Sequence, residues 1–309
     1  MPDIEYYTGA YTGEEIDEAI GRAIASSNGN LLDNSYFAGG GSQNNSGNLP
    51  INQRASTSYT QGNGTQKIFD RWNLIRGTVT LAASGVTLKW DGVNGNATTL
   101  RQVIAGTPLT GKKVTLALLY GNGRLLQVST TMAANTNVYS ATADSLQLHL
   151  LVNNGNTLID INCTSTTGVT LIAVGLYLGD YQLLAHPEGN LYAVNSIPSF
   201  SQEYLKCLRY LWAMPRYSNA RATAVRTNDI YFSIATPAPM LSSPTSPTIL
   251  NSGDITLATL TGSAQSGFTY SITTAFNGMV VIDANKSSHG LSDAVIGCST
   301  GHIYISSEL

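Results

Sequence analysis

The stretch from Gln66 to about Leu184 most constrains what this chain can fold into. Apolar and polar residues alternate there in short runs closed by turn residues; Leu146, Leu148 and Leu150, for example, alternate with Gln147 and His149. Successive strand side chains point to opposite faces, so this period of two puts one face in a core and the other in water. The pattern predicts strands over 67–74, 77–82, 86–90, 98–104, 113–119, 125–131, 137–141, 146–152, 157–163 and 170–178. Gly121-Asn122-Gly123 and Asn153-Asn154-Gly155-Asn156 supply turns between them. Many strands without intervening helices predict a jelly-roll β-sandwich. Only 11% of the residues are charged, which disfavours long solvated helices.

One helix is expected before this region. Thr12 and Glu15 form a capping box, and Glu14, Glu15, Asp17 and Glu18 suit the positive end of the helix dipole. Ile16, Ala19, Ile20, Ala23 and Ile24 fall on one face, and Asn28-Gly29 is a stop signal. So short a helix is marginal in water and needs a partner, either its own domain or other copies around an axis. Residues 30–64 read as a polar, glycine-rich lead-in, either wrapped over a domain or loose on its surface. His186-Pro187-Glu188-Gly189-Asn190 reads as a boundary. Beyond it, a helix over 202–212 with Tyr204, Leu205, Leu208 and Leu211 on one face is expected. Strands are expected over 220–226, 230–234, 248–250, 256–260, 269–274, 279–284 and 302–306. The expected organisation is therefore mainly β: an oligomerising helix in 1–29, a jelly-roll sandwich in 30–188, and a smaller β-sandwich-like domain with one helix in 189–309.

Several function classes are disfavoured. The formal net charge of −3 leaves no basic footprint for nucleic acid. The most apolar run, Val114 to Tyr120, is strand-length, and the acidic start Met1-Pro2-Asp3-Ile4-Glu5 is unlike a secretory signal. Cys163, Cys207 and Cys298 are odd in number and widely spaced, which suits buried small hydrophobes rather than disulfides or zinc. No Gly-x-Ser-x-Gly elbow or His-x-x-x-His pair is present, and Asp91, Asp144, Asp160, Asp180, Glu188 and Asp229 look isolated. No enzyme activity, metal or cofactor is expected.

Six words recur along the chain: Asn30-Leu31-Leu32-x-Asn34-x-x-Phe37, Pro50-Ile51-Asn52-Gln53-Arg54, Asp70-Arg71-Trp72, Glu203-x-x-x-Cys207-x-Arg209-Tyr210, Pro237-x-Pro239-Met240-x-x-x-Pro244-Thr245, and the closing Ser307-Glu308-Leu309. In this order they resemble bacteriophage tail-fibre, baseplate and prophage tail proteins. The resemblance implies a carbohydrate-binding-module-like sandwich at 30–188 and a homotrimer joined through the N-terminal helix. It further implies a place in a virion tail, assembled in the host cytoplasm beside other tail proteins. The implied role is attachment to host cell-surface polysaccharide, with no nucleic-acid partner and no membrane insertion. A purely architectural subunit is the rival reading, and a glycan depolymerase a weaker one.

Two loops carry residue types suited to sugars, namely aromatic faces and planar hydrogen-bonding groups. One holds Trp212, Arg216, Tyr217, Asn219 and Arg221; the other holds Asn285, Lys286, Ser288 and His289. Asp70-Arg71-Trp72 could form a sugar platform on a strand, but a buried Trp anchoring the sandwich is the better expectation.

Overall fold

The computed structural model describes residues 29–39, 48–92, 97–104, 109–133, 138–141, 145–153, 155–214, 219–238, 240, 248–250, 253, 255–276, 278–298 and 303–307. The helix expected over 12–25 lies outside them. The described chain is mainly β, with one helix among the described residues.

The first part carries β1 (Ser58–Gln61), β2 (Gln66–Lys67), β3 (Asn73–Leu74), β4 (Gly77–Ala82), β5 (Gly85–Lys89), β6 (Thr98–Ile104), β7 (Lys113–Tyr120), β8 (Leu125–Thr131), β9 (Val138–Ala141), β10 (Leu146–Asn153), β11 (Asn156–Cys163) and β12 (Val169–Leu178). They form two six-stranded antiparallel sheets, in spatial order β1-β4-β5-β12-β7-β8 and β2-β3-β6-β11-β10-β9. The alternation read from sequence is the mechanism. In β11, Thr157, Ile159, Ile161 and Cys163 are buried, while Asn156, Leu158, Asp160 and Asn162 are only partly covered. Leu88, Leu116 and Leu176 of one sheet and Leu100, Leu148 and Ile159 of the other share one core, so the sheets face each other across it. On the wetted face Arg101 donates both Nε and Nη2 to the Asp160 carboxylate directly across the β6–β11 ladder.

The outer side of the first sheet is different. β7 is buried from Val114 to Tyr120, matching its unbroken apolar sequence. Ala117, Leu119, Ala173 and Tyr177 on that side pack under Leu184 and Ala185 as a third layer. This cover continues into the hairpin β13 (Ala185–Glu188) and β14 (Leu191–Val194). The boundary expected after Glu188 is therefore the turn of a hairpin, and Val194 beyond it still packs on the first domain.

The helix α1 (Phe200–Leu208) opens the second part, followed by β15 (Leu211–Met214), β16 (Asn219–Arg221), β17 (Ala224–Val225), β18 (Asp229–Ala235), β19 (Thr248–Leu250), β20 (Ile255–Ala258), β21 (Ala264–Gln265), β22 (Thr269–Phe276), β23 (Met279–Asn285), β24 (Val295–Cys298) and β25 (Ile303–Ser306). Three small sheets, β15-β25-β19, β16-β24-β20-β21 and β17-β18-β23-β22, share a second core around Phe232, Ile282 and Ile305. The helix ends four residues before the predicted limit, and Leu211 and Trp212 pair with Ser306 and Ile305 instead. Leu205 is exposed; the buried face is Glu203, Cys207 and Leu208.

Candidate functional site

The six words separate into a buried junction and a remainder. Segment 30–37 runs beside the half of β12 that β5 leaves unpaired: Leu31 N–H donates to Leu176 O, Val174 N–H to Ser35 O and Phe37 N–H to Ile172 O. At its centre Asn34 is fully buried with φ 53°, a left-handed backbone that asparagine tolerates better than most residues. Its Nδ2 donates to Ile51 O and Asp70 O, both at 2.8 Å, and its Oδ1 accepts from Ile51 N. Its own N–H donates to Glu203 Oε2 at 2.6 Å, and its carbonyl accepts from Trp72 Nε1 at 2.9 Å.

Asp70-Arg71-Trp72 is not on a strand. Trp72 N–H donates to Phe69 O in a tight turn between β2 and β3, and Arg71 sits at φ 72°. Trp72 is 1% exposed and packs edge-on against Phe37. Arg71 pairs with Asp33 at 3.2 Å, donates to Val103 O and holds its guanidinium carbon over the Tyr210 ring, 3.4 Å from the ring centre. The sugar platform is thus excluded by burial, and the anchoring Trp is what the fold contains.

Gln53 ties the two cores. Its N–H and Nε2 donate to the Asp70 carboxylate at 2.9 and 2.6 Å. The same side-chain amide donates to Leu211 O and accepts from Ala213 N, so it occupies the open edge of β15 as a neighbouring strand would. Tyr304 donates to Gln53 O, and Ser307 closes the far end on Tyr210 O and Arg209 O. Cys207 packs with Leu49 and Ile51, and burial pushes its thiol pKa well above the usual range. This is the buried small hydrophobe expected of the cysteines, and a thiol so shifted is not an activated nucleophile. Gln53→Ala is expected to remove about 2–4 kcal/mol by stranding the two β15 backbone groups. The loss should separate the unfolding of the two cores. Calorimetry should show a broadened or double transition where the parent shows less separation, and an unchanged trace would mean this amide is not the tie.

The sequence-predicted sugar loops fare differently. Trp212 is 7% exposed in the second core, so its face is unavailable for stacking and that expectation is corrected. Arg216 and Tyr217 lie outside the described residues. Asn219 pairs with Gly297, and exposed Arg221 with Val295, on the β16–β24 ladder. On another sheet, exposed Asn285 at the end of β23 donates to Asp229. Lys286 donates to Ser266 O, and His289 Nδ1 accepts from Leu291 N. His289 shares a shallow hollow of about 520 Å³ with Arg226, Thr227 and Ser288. Asp229, read as isolated, has Asp283 near it. Burial first, and the Asp229 charge second, raise the Asp283 pKa, and Asp283 Oδ1 is buried without a partner among the described residues. No cluster of three metal-ligating residues and no helix long and apolar enough to cross a membrane occurs among the described residues.

A larger cleft, of about 570 Å³, went unread in the sequence. It opens between segment 29–36, the outer face of β12 and the linker around hairpin β13–β14. Its residues come from 29–36 and from 173–198, far apart in sequence, so no local word announces it. Comparison with known protein families, with curated proteins and with solved structures returns no match.

Proposed function

We propose that the chain is a structural component of a phage or phage-derived tail, attaching the particle to host cell-surface glycan. In this reading residues 1–29 join three copies and contact other tail proteins, the sandwich of the first domain is a jelly roll of the carbohydrate-binding-module kind, and the protein resides in the virion. The observation that supports it is the junction. Five of the words that carry the tail-protein resemblance, far apart in sequence, have members bonded or packed to one another in it. Residues under so many mutual restraints cannot change singly without stranding a buried group. They are the ones that distantly related chains of one architecture would share, so the words mark a common frame rather than a binding site.

The test uses the full chain and purified host polysaccharide. Sedimentation is expected near three times 32.7 kDa, and deletion of 1–29 is expected to weaken the assembly while both β domains stay folded. Each copy should bind on the order of millimolar to tens of micromolar, with about 10²–10⁴ gained by several copies on a repetitive surface. A monomer at micromolar concentration would remove the trimer. No polysaccharide binding would leave the architectural subunit, and release of reducing ends that Asp229→Asn abolishes would favour the depolymerase, whose one supporting observation is the Asp229–Asp283 proximity.

A further inference from the structure

We propose that the cleft between segment 29–36 and hairpin β13–β14 is a binding site for a neutral saccharide, one or two rings long, a proposal that rests on the glycan-attachment reading above. Three observations lead there. The floor is small and apolar: Ala173 lies on it, and Gly175 beside it is so closely covered that an added Cβ would stand 2.5 Å from the Tyr177 ring. Tyr177 is therefore folded over β12, with Tyr36 and Leu184 also lining the cleft and packed in the same cluster. Aromatic faces of this kind suit the C–H face of a sugar ring, which is apolar and rigid.

The second observation is an unspent hydroxyl. Tyr177 is only 5% exposed, but its hydroxyl is not among the polar atoms shut away from solvent, so it opens on the cleft that the residue lines. Burial alone raises its pKa, with no hydrogen bond offsetting the effect. The hydroxyl is served by cleft water, which a ligand hydroxyl at this position would replace. At the rim His186 Nδ1 and Asn195 Oδ1 are 2.8 Å apart, and Asn195 Nδ2 donates to Leu183 O. With the proton on Nδ1, His186 Nε2 is left as an acceptor, and the second Nδ2 hydrogen of Asn195 and the Ser196 hydroxyl are further groups for sugar hydroxyls.

The third observation is the lack of charge. No Asp, Glu, Lys or Arg lines the cleft among the described residues, which disfavours phosphate, acidic sugars and charged peptides. An apolar hollow with a few convergent polar groups is the usual make-up of a small-ligand site.

The experiment titrates the full chain with soluble host polysaccharide and with glucose, galactose and N-acetylglucosamine, read by saturation-transfer NMR. Tyr177→Phe keeps the ring and removes only the hydroxyl; its melting temperature should be unchanged or slightly raised, while binding falls about 3–10-fold. Tyr36→Ala should lower binding by at least tenfold, and Asn285→Ala, on the other domain, should leave it unchanged. If the parent binds and Tyr177→Phe and Tyr36→Ala bind equally well, the cleft is not the site although the glycan reading stands. If the parent binds none of the four probes, both the reading and the cleft proposal fall.

Discussion

Replacing Trp72 with alanine is expected to destabilise the protein by about 3–5 kcal/mol, enough to threaten folding at physiological temperature. The ring sits where the Asn30–Phe37 segment, the β2–β3 turn and the first core meet. It is 5.5 Å from Phe37 at an interplanar angle of 74°, and 6.3 Å from Phe69. The alanine variant loses this packing, leaves a cavity, and takes away the Nε1 donor that Asn34 O now uses. Trp72→Phe separates the terms. It retains most of the apolar volume and loses the hydrogen bond, so about 1–2 kcal/mol is expected. Urea unfolding followed through Trp90 and Trp212 would measure both. A folded Trp72→Ala of parental stability that had lost only glycan binding would reverse the assignment and restore the triplet as a site.

The sandwich was legible because its signal is local. Period-two alternation needs no knowledge of partners, and β6 and β8 run over the expected residues, 98–104 and 125–131. What failed was local sequence read without its distant partner. Residues 67–74 look like one strand because Ile68, Phe69, Trp72 and Leu74 are apolar, yet Asp70-Arg71 turn the chain. No Gly or Asn marks that turn. Arg71 is held at positive φ by Asp33, Val103 and Tyr210, all remote in sequence. The same reason explains Leu211 and Trp212. Their spacing from Leu205 and Leu208 fits a helix, but β25, almost a hundred residues later, takes them into a sheet.

The junction was half legible. The words could be recognised as an ordered set, but nothing in Pro50-Ile51-Asn52-Gln53-Arg54 says that Gln53 will seal the edge of β15. A sugar-like loop composition likewise misplaced Trp212, because a Trp in a strand is recruited to the nearest core. The cleft shows the reverse case. Tyr36, Tyr177 and Asn195 are unremarkable apart, and their proximity arises only after segment 29–36 and the β13–β14 linker settle against β12.

Asn34→Ala is expected to be as damaging as loss of the Trp, for a different reason. It creates little cavity. It strands the Ile51 N–H in the interior, and it takes a donor from the Asp70 carbonyl and from the Ile51 carbonyl, which keeps only the Asp70 N–H; a buried group left unpartnered costs about 1–3 kcal/mol. The sum is capped by relaxation, so about 3–6 kcal/mol is expected, including about 1 kcal/mol for alanine at φ 53°. Asn34→Gly removes the backbone component and should recover about that last part, leaving the polar loss exposed. Asn34→Asp is the sharper comparison. It keeps the acceptor for Ile51 N but turns the donor into an oxygen facing two carbonyls, and at neutral pH adds a negative charge in a site that already holds the carboxylates of Asp70 and Glu203. The aspartate variant should therefore be the least stable of the three at pH 7 and regain stability on acidification as its carboxyl takes up a proton and can donate again. Equal stability of Asn34→Asp and the parent at pH 7 would mean that the amide at the centre of the junction is not what holds these segments together.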